Sequence, residues 1–375
     1  MNLTIPDHYC YFMHAGLTIR LSPFGTKKII VSPCLTESVK IEVDNFTNLF
    51  KHQALVELRE NNRISKSLTT KCQDCFNQEK LGLNSKHKSS SNNYIDDKLI
   101  YNLSGPGFIT FQISWLCNLA CIVCGPHSST KWRAEEGISG NVGISEQELR
   151  SVIQTLDLSN LHTVHIFGGE PMLNSVNRII LEELEPYAHN ITVWYDTNAT
   201  AIPDANTVRL WEKFKMIRLK FSIDAADNAF EYLRWPGRWE QVTHTVTWLK
   251  ENLPPNHLFS LRPNFGMLNM HCAEKLIKWH EQEFSTNRMG DPTDLEYAST
   301  FGTFAAKNMN QPMIDELRNR YHNNSKFMFL LQLDAASNAN ERMLAAKNKL
   351  LQLDSKRHNS YRDSLPHLAK YFDQL

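Results

Sequence analysis

The chain has 375 residues, a length that allows one large domain and a smaller one. Lys plus Arg and Asp plus Glu both number 40, so the formal net charge is zero. This balance excludes a global electrostatic attraction to nucleic acid or to an anionic membrane. We find no apolar run near the ~20 residues that a membrane-spanning helix needs, and no signal-peptide pattern at the N-terminus. Eight cysteines without an export signal indicate a reducing cytoplasm and metal binding rather than disulfides.

The N-terminal region predicts a small α+β module. Residues 12–21 and 27–31 alternate as strands do, and a turn at 22–25 would join them. Residues 45–62 have helical spacing, and their apolar face is made by Phe46, Leu49, Phe50, Leu55 and Leu58. Residues 85–98 are polar, and we predict a linker or a surface crossing there.

From residue 108 onward, strand and helix patterns alternate. Strands are predicted at 108–113, 164–167, 191–195, 217–225 and 257–265. Helices are predicted after a capping box at Ser145, and at 176–188, 204–215, 241–252, 273–283, 313–321, 341–353 and 365–372. Such repeated units predict a parallel sheet with helices outside it, closed into a full or partial barrel by right-handed crossovers. Active sites of barrels lie at the carboxyl ends of the strands.

Three cysteines follow the strand at 108–113 with the spacing C-x3-C-x2-C: Cys117, Cys121 and Cys124. Three thiolates on one short loop can bind three irons of a cubane [4Fe–4S] cluster, and the fourth iron then has no protein ligand. Such an open position is typical of a site that binds a ligand or substrate. The alternative is a zinc ion, for which His127 would supply the fourth ligand.

Three further motifs each follow a predicted strand. They are Gly168-Gly169-Glu170-Pro171, Thr197-Asn198 and Ser222-Ile223-Asp224. With the cysteine loop, they stand in the order and at the distances of the radical S-adenosylmethionine (radical SAM) superfamily, which this sequence resembles. One departure is Val123, which stands where many members of that family have an aromatic residue.

The resemblance implies a cofactor and its contacts. In the family, the open iron binds the amino and carboxylate groups of S-adenosylmethionine, and reductive cleavage yields a 5′-deoxyadenosyl radical that abstracts hydrogen. By motif position, residues 168–171 would receive the amino group, and Asn198 would face the ribose. Ser222 and Asp224 would contact the ribose or carboxylate, and Arg234 would bind the methionine carboxylate. Each has an ordinary structural alternative: a strand-to-helix turn, a turn residue, a helix cap or a surface salt bridge.

A second group of cysteines lies upstream, where Cys72 and Cys75 form a C-x2-C pair and Cys10 and Cys34 flank the predicted turn. The region resembles the twitch module, a half-size version of the SPASM cluster domain, placed before the barrel instead of after it. The resemblance implies an auxiliary iron–sulfur cluster. Structural zinc and buried cysteines without a metal are the alternatives. Cys272 is interpreted as a packing residue.

The predicted organisation is therefore α/β. A twitch-like module and linker would occupy residues 1–100, and a partial (β/α)6-type radical SAM barrel would occupy residues 101–300. A helical extension over residues 301–375 would pack on the barrel.

Because twitch and SPASM enzymes mostly act on peptides, we expect a cytoplasmic enzyme that modifies a ribosomally made precursor peptide. Its modification would be a crosslink, an epimerisation, an oxidation or a backbone cleavage. A flavodoxin or ferredoxin-type protein would supply electrons, and neither nucleic acid nor membrane would be a partner. The alternatives are an enzyme acting on a sugar, nucleoside or cofactor precursor, and a non-catalytic iron–sulfur or zinc scaffold.

Overall fold

A computed structural model describes most of the chain. The described residues are 10–22, 29–34, 41–43, 48–65, 72–80, 85, 87–88, 103–254, 257–284, 298–299, 302–332 and 334–375. Residues 23–25 of the predicted turn and most of the predicted linker lie outside them, as does Phe46. No helix within the described ranges is long and apolar enough to span a membrane.

The strands, in chain order, are β1 (Gly16–Leu21), β2 (Ile29–Ser32), β3 (Ile41–Val43), β4 (Phe108–Gln112), β5 (Thr163–Ile166), β6 (Thr192–Thr197), β7 (Met216–Phe221), β8 (Leu258–Leu261), β9 (Asn264–Phe265) and β10 (Ala298–Ser299). The α-helices are α1 (Tyr11–Ala15), α2 (Gln53–Ser65), α3 (Gln73–Lys80), α4 (Thr130–Glu135), α5 (Glu146–Gln154), α6 (Val176–Leu184), α7 (Ala205–Trp211), α8 (Asp227–Leu233), α9 (Trp239–Asn252), α10 (Ala273–Phe284), α11 (Gln311–Arg320), α12 (Ser325–Leu330), α13 (Ala339–Arg357), α14 (Tyr361–Ser364) and α15 (Pro366–Phe372).

The chain divides into two compact units, of which the first comprises residues 1–116, 138–196 and 203–218. Its strands lie in the order β3-β2-β1-β4-β5-β6. β1 pairs antiparallel with β2, and β2 pairs antiparallel with β3, so the predicted hairpin is confirmed. β1, β4, β5 and β6 run parallel to one another. The N-terminal strands therefore continue the parallel sheet instead of forming a sheet of their own.

The second unit comprises residues 117–137, 197–202 and 219–375. It contains the end of β7, which neighbours β8, and a small parallel pair formed by β9 and β10. The single strand predicted at 257–265 is divided into β8 and β9. Pro263 lies between them, and proline cannot donate a hydrogen bond to a strand ladder.

Two local predictions were wrong, and one was confirmed in detail. Residues 12–15 belong to helix α1 and not to a strand. Ser85 and His87, in the predicted linker, are buried side chains that contact Glu79 of α3. The capping box of α5 is present: the Ser145 hydroxyl accepts from the backbone N–H at position 148, and the carboxylate there accepts from the Ser145 N–H.

Candidate functional site

The loop with the three cysteines, residues 117–124, is fixed by backbone hydrogen bonds within the second unit. The Ala120 N–H donates to the Trp235 carbonyl at 2.7 Å, and the Ile122 N–H donates to the Leu233 carbonyl at 2.8 Å. The Trp132 indole N–H donates to the Cys121 carbonyl at 2.8 Å. With its polar backbone groups paired, the loop can hold its side chains in one arrangement.

Helix α4 follows the loop and secures its first half. Ser129 is the N-cap of α4, and its hydroxyl also donates to the Leu119 carbonyl at 2.5 Å. The Thr130 hydroxyl accepts from the Cys117 N–H and donates to the Cys117 carbonyl, at 3.1 and 3.0 Å. His127, the predicted alternative zinc ligand, is exposed.

Two of the three thiols interact directly. The hydrogen bond between the Cys121 and Cys124 side chains raises the pKa of the buried Cys121 and lowers the pKa of Cys124 to about 7. Burial adds to the rise at Cys121, whereas the charge of Arg234 favours a lower pKa at both thiols. Cys124 is therefore the thiol of this pair with the lower pKa.

Arg234 and Asp224, both predicted to contact the cofactor, form a buried ion pair with each other. Arg234 Nε and Nη2 each lie 2.8 Å from Asp224 Oδ2. Burial alone would lower the pKa of Arg234, but the Asp224 carboxylate and the two thiols raise it above its usual value. Arg234 Nη1 lies 3.9 Å from the Cys121 sulfur. The surface salt bridge considered as an alternative is wrong, because the pair is buried beside the cysteine loop.

Asn198 also lies against the cysteine loop. Its side-chain N–H group donates to Asn118 Oδ1 at 3.0 Å and is 3.9 Å from the Cys117 sulfur. The Thr200 hydroxyl donates to Asn198 Oδ1 at 2.6 Å and accepts from the Asn118 amide at 2.9 Å. Asn118 was missed by the sequence analysis, since nothing in a lone asparagine between two cysteines distinguishes it. Ser222 is half-buried at the end of β7, and its N–H donates to the Thr197 carbonyl at 2.7 Å.

The Gly-Gly-Glu-Pro motif lies in the first unit, directly after β5. Gly168 and Gly169 have φ values of +96° and +55°. A Cβ on Gly169 would lie 2.2 Å from the Leu116 carbonyl oxygen, so only glycine fits there. Glu170 is buried, and its carboxylate accepts from the Met172 N–H at 3.1 Å at the start of a 3-10 turn headed by Pro171. The motif thus brings its backbone close to that of Leu116, within the same unit.

Of the four upstream cysteines, two lie in one cluster of buried side chains. Cys10 and Cys72 are buried in one apolar cluster with Met13. Cys75 is buried three residues later on α3, and residues three apart share a helix face. Cys34 is half-buried. The structure therefore packs Cys10 with Cys72 and places Cys75 near Cys72.

Within the described ranges, no group of three or more His, Cys, Asp or Glu side chains could hold a metal ion. A cubane cluster does not need its ligands to surround one metal ion, because each of its three thiolates binds a separate iron. The donor set on the cysteine loop is three thiol groups beside a buried guanidinium, and that chemistry fits such a cluster. A small cavity of about 10 Å³ adjoins the loop, and it is lined by Val123, Asp224, Leu233, Asn264, Leu268, Asn269 and Phe304.

Comparison with known families agrees with this site. Residues 113–280 match the model of the Radical SAM superfamily. The chain therefore carries a radical SAM domain, and this domain contains the cysteine loop and all three motifs that follow it. The predicted radical SAM domain is confirmed over these residues, as is the mixed α/β fold with a parallel-strand sheet. The predicted twitch module stays a prediction.

Two curated relatives are mycofactocin maturases named MftC. The protein from Mycolicibacterium smegmatis is 28% identical over 127 residues, which cover 33% of this chain and 29% of that protein. The protein from Mycobacterium tuberculosis is 28% identical over 126 residues, with the same two shares. The match thus spans less than a third of the length of these relatives.

Solved structures with similarity to this chain include native anSMEcpe with bound AdoMet and Streptococcus suis SuiB bound to precursor peptide SuiA. The first has 15% sequence identity and a TM-score of 0.43, with 64% of this chain and 66% of that chain covered. The second has 15% identity and a TM-score of 0.39, with 86% and 71% covered.

Proposed function

We propose that this chain is a radical SAM enzyme that modifies a ribosomally made peptide. The observation that carries the proposal is the cysteine loop: three thiols on a loop fixed by Trp132 and residues 233–235, with Arg234 3.9 Å from one sulfur. Cys117, Cys121 and Cys124 would hold a [4Fe–4S] cluster. When bound, the cluster and S-adenosylmethionine supply a 5′-deoxyadenosyl radical that abstracts hydrogen from substrate.

The other residues of the site would place the nucleotide cofactor. Gly168 and Gly169 leave backbone open to close approach, and Glu170 can accept from an ammonium group. Asn198 is held beside Cys117 by Asn118 and Thr200, so a ribose there would meet a fixed amide. The roles of these residues and of Ser222 as cofactor contacts remain proposals.

The peptide substrate is proposed from the relatives, since both curated proteins are named as maturases. An auxiliary iron–sulfur cluster on Cys10, Cys34, Cys72 and Cys75 is proposed from the burial of Cys10, Cys72 and Cys75 and from the packing of Cys10 with Cys72. The electron donor would be a flavodoxin or a ferredoxin-type protein.

Anaerobic reconstitution of the whole chain tests the proposal. We expect wild type to show a cubane signal in electron paramagnetic resonance and to form 5′-deoxyadenosine from S-adenosylmethionine and dithionite. Cys121→Ala should lose both, whereas the matched control Cys272→Ala should keep both, because Cys272 lies at the start of another helix, α10. Tetrahedral zinc at the loop, or full cleavage activity in Cys121→Ala, would overturn the proposal.

Two further arms test its parts. The iron content of Cys72→Ala/Cys75→Ala should fall by about one cluster relative to wild type, and an unchanged content would refute the auxiliary cluster. Incubation with a candidate precursor peptide encoded beside the gene should give a mass change on that peptide. Deoxyadenosine formed in step with a metabolite, and no change on the peptide, would refute the peptide substrate.

A further inference from the structure

The buried ion pair of Arg234 and Asp224 has a geometry that its predicted role does not explain. A guanidinium that binds a substrate carboxylate does so best through two parallel N–H donors. In Arg234, both Nε and Nη2 are already engaged by Asp224 Oδ2, each at 2.8 Å. Side-chain exposure is 7% for Arg234 and 4% for Asp224, so solvent screens the pair little.

Asp224 is itself fixed from two further directions. Its Oδ1 accepts from the Asn264 N–H at 2.7 Å, and its carbonyl accepts from the Asn269 side chain at 2.8 Å. Asn269 also donates to the Asn264 carbonyl at 3.0 Å. The carboxylate is therefore anchored at the start of β9 and cannot swing away from Arg234 without breaking these bonds.

The remaining guanidinium nitrogen faces the cysteine loop. Arg234 Nη1 lies 3.9 Å from the Cys121 sulfur, which is within the range of a hydrogen bond to sulfur. The backbone on both sides of Arg234 is tied to the same loop, because the Leu233 and Trp235 carbonyls accept from Ile122 and Ala120. The positive charge is thus held at a set distance from one sulfur.

We propose that Arg234 is a positioning residue whose charge acts on the cluster held by Cys117, Cys121 and Cys124, with Asp224 fixing its place, and that it is not the ligand of the methionine carboxylate. The inference rests on the proposed cluster. Reduction adds one negative charge to the cluster, and a cation near a ligating sulfur favours the reduced form. Asp224 opposes this effect, but it contacts the other edge of the guanidinium and therefore lies farther from the sulfur.

The test is a redox titration of the anaerobically reconstituted whole chain without S-adenosylmethionine, followed by electron paramagnetic resonance. For Arg234→Gln we expect the ratio of reduced to oxidised cluster at a fixed potential to fall by about tenfold, which is a shift of about 59 mV for one electron. For Asp224→Asn we expect the ratio to rise, because the cation then lacks its counter-charge. Arg234→Lys should return the ratio to near the wild-type value.

The opposite changes expected in the ratio of reduced to oxidised cluster for Arg234→Gln and Asp224→Asn distinguish this role from a structural one. A loss of local packing would move both variants in the same direction or lower their iron content. Arg238→Gln is the matched control. It removes a guanidinium that is close to Arg234 in sequence but largely exposed, in an ion pair with Glu231. Its ratio should not change.

Affinity for S-adenosylmethionine separates the two roles of Arg234. A ratio of reduced to oxidised cluster that changes in the same direction in Arg234→Gln and Asp224→Asn, or that changes in neither, would overturn the inference. So would a tenfold or greater loss of S-adenosylmethionine affinity in Arg234→Gln with an unchanged potential, because Arg234 would then be the carboxylate ligand. A wild-type chain that binds no cluster would instead refute the proposed function, and the inference would fall with it.

Discussion

Replacement of Arg357 by methionine tests how strongly the C-terminal helix α13 supports the cysteine loop. Arg357 binds both oxygens of Glu135 at 3.2 and 2.9 Å, and its guanidinium lies 4.7 and 4.9 Å from the ring centres of Trp132 and Trp235. Trp132 in turn donates to the Cys121 carbonyl. The side chain of Arg357 is 1% exposed and that of Glu135 is 14% exposed.

Removing one partner of a buried ion pair costs about 3–5 kcal/mol, because the other charge is left without a partner. Each desolvated contact between a cation and an aromatic ring adds about 0.5–2 kcal/mol. These contributions are not additive in full, so we expect Arg357→Met to lower the free energy of unfolding by about 4 kcal/mol. Urea unfolding followed by tryptophan fluorescence measures the change.

Arg362 provides a matched control. It also binds both oxygens of an aspartate, Asp373, and lies over an aromatic ring, that of Tyr361 at 5.3 Å. Its pair differs in exposure, since the two side chains are 49% and 50% exposed. Arg362→Met should therefore lower the free energy of unfolding far less than Arg357→Met does. Equal costs for the two variants would refute the argument from burial. A double variant, Arg357→Met with Glu135→Leu, should recover at least half of the lost free energy of unfolding. If none is recovered, lost packing and not the unpaired charge explains the cost.

Two other predictions concern backbone strain and pH. Gly169→Ala should lower the melting temperature more than Gly137→Ala, by the equivalent of about 2 kcal/mol: both glycines have positive φ, but only Gly169 has an atom, the Leu116 oxygen, in the path of a Cβ. Equal melting temperatures would contradict this. Burial lowers the pKa of His271 to about 3 and that of His367 to about 4. The pKa values in the folded protein lie below the unfolded value of about 6.5. The stability that the two histidines contribute is therefore complete above about pH 6.5, and it is lost as the pH falls below that value. We expect each histidine to account for a loss of about 2 kcal/mol between pH 7 and pH 5, about 4 kcal/mol for the two, measured as the urea midpoint, and a smaller loss in His271→Leu/His367→Leu. The same slope in both proteins would refute the assignment.

The sequence by itself determined which residues could hold a cluster and which strands precede them. The spacing of Cys117, Cys121 and Cys124 is local, because three residues on one loop stay near one another in any fold. The parallel strands β4, β5 and β6 were predicted from apolar runs, since a strand covered on both faces carries a largely apolar pattern. The capping box at Ser145 is likewise a local signal that needs no distant partner.

Only the tertiary structure decided which distant side chains meet at the site. Arg234 is adjacent to Cys121 although 113 residues separate them, and Arg357 reaches Glu135 across 222 residues. No local pattern encodes such a pairing, because it depends on how the intervening strands and helices are packed. The parallel pairing of β1 with β4 belongs to the same class, since a strand's sequence shows that it can pair but not with which partner.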